Sequence, residues 1–183
     1  MLHERVPVRK ELSKDESLAE LARRYFNSRC PATLEDFIWW SNLTIKEART
    51  AVDLIKSDFI QEKTGSFKYI IPNSFSEPPY NKQSLHLLPA YDEFLISYRD
   101  RTSSLSKVNN KRTVSDNGIF YPTIVINGQV AGLWKRKIKK DNVSVELHFF
   151  QQANPSALKR IEDKTNRFGR FLSKETELIY KTL

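Results

Sequence analysis

The sequence has a single cysteine, Cys30, so it can close no internal disulfide. Its three histidines, His3, His86 and His148, are too far apart in the chain to give a zinc-ligand spacing. No window approaches the roughly 18 apolar residues of a membrane helix, and the polar start MLHERVPVRKELSK is no secretory signal. A cytoplasmic protein with no membrane partner is expected. Neither a G-x-S-x-G nucleophile elbow nor a G-x-x-x-x-G-K-[ST] phosphate loop occurs. Asp92 and Glu93 are neighbouring carboxylates in an apolar stretch. Acid–base work needs two carboxylates converging on one site, whereas adjacent strand positions point to opposite faces. Ion pairs with Arg99, Arg101 or basic residues further on are their expected role. His86, His148, Cys30 and the Trp39-Trp40 pair read as structural. No catalytic group, metal site or cofactor is expected from the residues.

What the chain does have is length for one domain or two small ones, and positive charge. Its 183 residues are 39% apolar and 28% charged, the balance of a soluble globular protein. The net charge of +8 is unevenly placed. Residues 1–75 hold 12 Lys/Arg against 11 Asp/Glu, while residues 76–183 hold 18 against 11. Basic excess in the second part points to a polyanion, nucleic acid before membrane, since no amphipathic basic helix with an apolar Trp/Phe/Leu face stands out.

Residues 1–12 show no clear periodicity. Three helix starts follow, each a hydroxyl with an acid three residues on: Ser13 with Glu16, Thr33 with Asp36, Thr44 with Glu47. Apolar stripes accompany them: Leu18, Leu21, Ala22, Tyr25 and Phe26; then Leu34, Phe37, Ile38 and Trp40; then Ile45, Ala48, Val52, Ile55 and Phe59. Pro31 stops the first helix. Thr64-Gly65-Ser66 then breaks two short runs, and Phe67, Tyr69 and Ile71 read as a returning strand. Helix–helix–helix–hairpin is the order of a winged helix-turn-helix, placed here at residues 13–73. Lys46 and Arg49 on the third helix and Lys68 on the wing are its candidate DNA contacts.

The polar stretch Ser74–Gln83 reads as a linker. Residues 84–175 read as an antiparallel, β-rich, barrel-like module with a C-terminal helix, making the whole chain α+β. Leu85–Ile96 would give one or two short strands, and Thr102–Asp116 a surface loop or short helix. Two apolar runs meet at Asn127-Gly128, the signal for a two-residue type I′ hairpin. Pairing outward from it sets Val125 opposite Val130, Ile124 opposite Ala131, Tyr121 opposite Trp134 and Phe120 opposite Lys135. The returning strand ends in Lys135, Arg136, Lys137, Lys139 and Lys140. Lys135, Lys137 and Lys139 would point one way, Trp134, Arg136 and Ile138 the other. Val143, Val145, Leu147 and Phe149 form a half-buried strand. Asn154-Pro155 starts a long helix with Leu158, Ile161, Phe168 and Leu172 inside, and Lys159, Arg160, Lys164 and Arg167 opposite.

The segments LARRYFNSRCPATLEDFIWWSNLTIKEAR, LLPAYDEFLISYRDR and NGIFYPTIVINGQVAGLWKR, in that order, resemble the winged-helix DNA-binding family that includes the crosslink-repair DNA glycosylases (AlkZ/YcaQ-like). The resemblance covers residues 14–175 and implies a C-terminal portion of a protein about twice as long. In the glycosylase members the catalytic residues belong to a Gln-x-Gln or Gln-x-Asp motif in an N-terminal part, which this chain lacks. Gln151-Gln152 is adjacent rather than spaced and does not match. The expectation is a non-catalytic part that binds the phosphate backbone of double-stranded DNA. Its contacts would be Lys135, Arg136, Lys137, Lys139 and Lys140, with Arg99, Arg101, Lys46, Arg49 and Lys68 secondary. Its own missing N-terminal winged-helix part is the other expected partner. Two alternatives are a glycosylase completed by that part, and a winged-helix module for protein interaction or transcriptional regulation.

Overall fold

The computed structural model describes residues 11–77, 79 and 83–182. The stretch before Glu11 lies outside the described residues, as do residues 78 and 80–82 of the expected linker. The chain divides into two compact units: residues up to Glu77 together with Ser97–Arg99, and the remainder.

In the first unit the order is α1 (Lys14–Arg29), β1 (Ala32–Thr33), α2 (Leu34–Ser41), α3 (Ile45–Leu54), β2 (Phe59–Thr64) and β3 (Phe67–Pro72). All three helices start on the expected capping boxes. In each, the Ser or Thr hydroxyl accepts the N–H three residues on, and the carboxylate there accepts the cap N–H. Two otherwise orphaned donors are satisfied at each start. Asn42, at φ 56°, ends α2 in the left-handed region. The strands form an antiparallel sheet in the order β1-β3-β2. Tyr25, Phe26 and Phe37 are fully buried at the centre, with ring centroids 5.1 to 5.3 Å apart. The Tyr25 hydroxyl donates to Ser97 O at 2.7 Å and Arg29 Nε to Ser97 Oγ at 2.7 Å, which ties the later segment into this unit.

Here the periodicity of the third helix overreached. α3 stops at Leu54, and Phe59 is buried as the first residue of β2. Ile45 is 58% exposed because the buried arc is centred on Ala48, Ala51, Val52 and Ile55, with Ile45 at its rim in the first turn.

The second unit comprises β4 (Leu85–Leu88), α4 (Glu93–Ile96), α5 (Lys107–Thr113), β5 (Thr123–Ile126), β6 (Gln129–Ile138), β7 (Asn142–Phe149), α6 (Pro155–Phe171) and β8 (Glu175–Thr182). Its strands run in the order β4-β5-β6-β7-β8, open at both ends among the described residues. β8 lies parallel to β7, the other neighbours being antiparallel. The expected antiparallel barrel closed by a helix is therefore a mixed open sheet ending in a strand. α6 is a crossover between two parallel strands, which a tight turn could not join. One sheet face packs Ile124, Trp134, Val143, Val145 and Leu147 against Ala157 and Ile161 of α6. Leu95, Leu105, Phe120, Val125, Val130 and Phe150 form a separate core cluster.

Asn127 (φ 52°) and Gly128 (φ 78°) make the expected turn, and Val125 faces Val130. Beyond that pair the register shifts: Ile124 faces Gly132 and Thr123 faces Leu133, not the partners that simple outward counting gives. A β-bulge inserts one residue on β6. Gly132 is required there, since a Cβ would lie 2.3 Å from His148 O and 2.9 Å from Phe149 Cα. Asp92 and Glu93 do not occupy adjacent strand positions. Asp92 Oδ1 accepts Phe94 N at 2.9 Å where α4 begins.

Candidate nucleic-acid interface

β6 is ten residues long but β5 only four, so the two part company after Leu133. Trp134 N still reaches Pro122 O at 3.1 Å. From Lys135 to Ile138 the strand has β7 on one side and, among the described residues, no strand on the other. This overhang and the turn after it carry Lys135, Arg136, Lys137, Lys139 and Lys140, all exposed.

The strand's alternation divides these cations. Arg136 stands opposite Val145 and Ile138 opposite Val143, both in the core beneath α6, so Arg136 and Ile138 share the α6 side. The Arg136 guanidinium lies 5.8 Å from the Trp134 ring centroid and 5.7 Å from that of Phe168. It is a cation held between two aromatic rings. Lys135 and Lys137 take the other side, opposite Glu146 and Ser144. Glu146 is already engaged: Lys181 Nζ approaches it at 3.2 Å and His148 Nε2 at 3.3 Å. Those two partners, Lys181 first, hold its carboxyl below the ordinary range. Glu177, across from Ser144 on β8, adds a second carboxylate to this side. Lys139 and Lys140 line a shallow depression with Asp141, Asn142 and Glu175. Among the described residues, the side chains of Lys135, Lys137, Lys139 and Lys140 have no hydrogen bond or ion pair.

Of the secondary contacts, Arg101 stays with the second unit and is half-buried. Its Nε donates to Leu95 O at 2.7 Å and its guanidinium lies 4.9 Å from the Phe120 centroid, so it braces the fold. Lys46, Arg49, Lys68 and Arg99 belong to the first unit. Lys46 and Arg49 are exposed on α3, Lys68 is exposed on β3 directly opposite Lys63, and the Arg99 N–H donates to Asp36 Oδ1 at 2.8 Å. Of the two tryptophans expected inside, Trp40 packs on Tyr25 at 5.0 Å between centroids, while Trp39 is 49% exposed. Cys30 is half-buried, and burial pushes its thiol up, away from the reactive thiolate. Among the described residues no group of three or more His, Cys, Asp or Glu is placed to hold a metal ion. Among the same residues no helix is long and apolar enough to cross a membrane.

Four cations on α6, Arg160, Lys164, Arg167 and Arg170, escaped the sequence-based site. The signal was present as a stripe of three- and four-residue steps opposite the apolar positions. A solvated helix face gives the same pattern.

A small helical unit with a capped third helix, followed by a basic strand overhang, is an α+β architecture whose free cations suit a polyanion. Residues 2–171 match the family model described as DNA glycosylase AlkZ-like, and the chain belongs to that family. The DNA glycosylase AlkZ of Streptomyces sahachiroi has a similar structure, with a TM-score of 0.74 over 96% of this chain at 17% identity. Likeness at that identity speaks to the fold, and the chain spans about half, 48%, of that protein's length. No curated protein sequence matches the chain.

Proposed function

We propose that this chain is a DNA-binding, non-catalytic part of an AlkZ-like glycosylase that grips the phosphate backbone of a duplex. The observation that carries the reading is the set Lys135, Lys137, Lys139 and Lys140: exposed on one strand overhang and its turn, and uncommitted among the described residues. Cations kept out of ion pairs have no bond to break before they meet a phosphate, and each one engaged releases a counterion. Arg136 contributes charge to the same region while its guanidinium braces Trp134 and Phe168. The first unit is read as a winged helix, α3 presenting Lys46 and Arg49 and the β2–β3 hairpin presenting Lys68 as the wing. Base excision is assigned to a Gln-x-Gln or Gln-x-Asp motif in an N-terminal part of a longer protein, acting in the cytoplasm at the nucleoid. The family match over residues 2–171 supports placing the chain in a protein that acts on DNA.

A protein-binding winged helix is the second reading, favoured by Trp39, Ile60 and Phe67, which are 49%, 53% and 39% exposed on the first unit. Fluorescence anisotropy with a labelled duplex separates the two. Wild type should bind at about 50 mM salt and weaken steeply by about 200 mM. Joint replacement of Lys135, Lys137, Lys139 and Lys140 by Gln should reduce the log–log salt slope by about 3 to 4, at roughly 0.9 per contact. Absence of duplex binding at low salt would leave the protein-interaction reading.

A further inference from the structure

A second basic surface lies in the groove between α6 and the start of β4. Arg160, Lys164, Arg167 and Arg170 follow one another at steps of four, three and three residues, so they form a single stripe on α6. The stripe runs beside the helix's buried positions, Ala157, Ile161, Thr165 and Gly169. Together with Asp163 and residues 83–86 at the entry to β4, it lines an open cleft of about 460 Å³.

The cleft is built rather than merely charged. Arg160 Nε donates to Ser156 O at 3.3 Å, and its guanidinium also donates to Gln83 O, joining helix and strand entry and fixing the groove's wall. Among the described residues, the side chains of Lys164, Arg167 and Arg170 have no hydrogen-bonded or ion-paired partner. Four cations and His86 stand against one carboxylate, Asp163. The hairpin is less lopsided, since Glu146, Glu177, Asp141 and Glu175 lie around its lysines. From Arg160 to Arg170 the stripe extends about 15 Å along the helix at 1.5 Å per residue. Consecutive phosphates of one strand advance about 3.4 Å each along the duplex axis, so a stripe of that length can follow a short run of backbone. Among the described residues no Phe, Tyr or Trp lines the groove, and His86 is its one ring, so it offers no extended stacking platform for unpaired bases.

We propose that the α6–β4 groove is a second track for the nucleic-acid backbone, taking consecutive phosphates without regard to sequence. Lys164, Arg167 and Arg170 make the contacts, and Arg160 is a positioning residue. The inference rests on the DNA-binding reading above and adds to it a surface separate from the hairpin.

The test measures anisotropy of the full chain with two labelled duplexes of unrelated sequence, between about 50 and 300 mM salt. The triple variant Lys164→Gln/Arg167→Gln/Arg170→Gln should reduce the salt slope by about 2 to 3 on both duplexes, at roughly 0.9 per contact. Its binding at low salt should fall at least tenfold, with circular dichroism unchanged. Asp163→Asn should tighten binding two- to threefold by removing the one carboxylate in the cleft. The single variant Arg167→Gln, expected to take about one from the slope, carries the test if the triple variant does not fold. A triple variant indistinguishable from a wild type that binds overturns the groove and leaves the hairpin reading standing. Wild type that binds neither duplex at 50 mM sinks both.

Discussion

The two units use charge in opposite ways. In the first, carboxylates are built into helix starts: Glu16, Asp36 and Glu47 each accept the backbone N–H of their own N-cap. Several cations are tied as well, Lys14 to Glu47 at 2.8 Å, Arg24 to Glu20 at 2.7 Å and Arg23 to Asp58 at 3.4 Å. In the second unit Glu146 pairs with Lys181 and His148, while among the described residues the side chains of the hairpin lysines and of Lys164, Arg167 and Arg170 have no hydrogen bond or ion pair. Opposite charges held together stabilise a fold modestly. Like charges left apart destabilise it by self-repulsion, which a bound polyanion relieves. The first unit therefore pairs more of its charge internally, and the second leaves more of its cations without an ion-paired partner among the described residues.

The sharpest way to break this comparison is to neutralise each unit's exposed cations in turn. Replacing Lys135, Lys137, Lys139 and Lys140 by Gln should weaken duplex binding about 100-fold at low salt, whereas Lys46→Gln/Arg49→Gln/Lys68→Gln should cost about tenfold. Glu47 and Asp53 already share α3 with Lys46 and Arg49, so less net charge is at stake there. The reverse ranking in an anisotropy titration would make the first unit the principal DNA contact.

Next in size is a packing effect confined to the second unit. A Cβ on Gly169 would meet Thr176 Oγ1 at 2.0 Å and Lys174 O at 2.9 Å. The hydroxyl can rotate away but the carbonyl belongs to the turn into β8. Gly169→Ala should cost about 2 kcal/mol in urea unfolding, although glycine-to-alanine in a free helix would be stabilising. A variant at least as stable as wild type would show that β8 does not pack closely on α6. In the first unit the matching test is Thr33→Ala. Thr33 Oγ1 accepts Asp36 N at 3.1 Å and donates to Asp36 Oδ2 at 2.7 Å, all buried. The loss should be about 1–2 kcal/mol, largely restored by Thr33→Ser.

These tests also mark where the sequence could and could not be read. The capping boxes, the Asn127-Gly128 turn and the Asn154-Pro155 start were legible because each depends on residues within three positions of one another. The bulge was not, because Gly132 answers to His148 and Phe149 on the neighbouring strand. β8 was hidden too: ETELIYKT carries its charges on an edge strand, so no apolar alternation announces it. Within the candidate site, the basic run of β6 was plain, but two of its features belong to tertiary structure. Arg136 is held by Phe168 from α6, and Glu146 is occupied by Lys181 from β8.

Arg136 gives the finer test of the same division. If its main task is bracing Trp134 and Phe168, Arg136→Met should lower stability by about 0.5–1 kcal/mol. DNA affinity should fall less than in Lys137→Gln, assayed side by side. A larger binding loss than that of Lys137→Gln would place Arg136 among the phosphate contacts instead.

The smallest effect concerns the charge the first unit spends on itself. Lys14 and the Thr44 cap hold the Glu47 carboxyl down to about 2, against an ordinary value of 4.5, while Glu47 raises Lys14. A depressed acid stabilises the fold fully above its unfolded value, and that contribution fades as pH falls from about 4.5 through about 2. At the alkaline end it is Lys14 that matters, and its share is lost as pH rises past its elevated value. Between these limits Glu47→Gln should be less stable than wild type, and the two should converge as pH approaches 2. Urea midpoints at pH 7, 4 and 2 measure the gap. A gap of constant size down to pH 2 would mean that the amide-for-carboxylate change acts through packing, and that the Lys14–Glu47 pair contributes nothing through its charge.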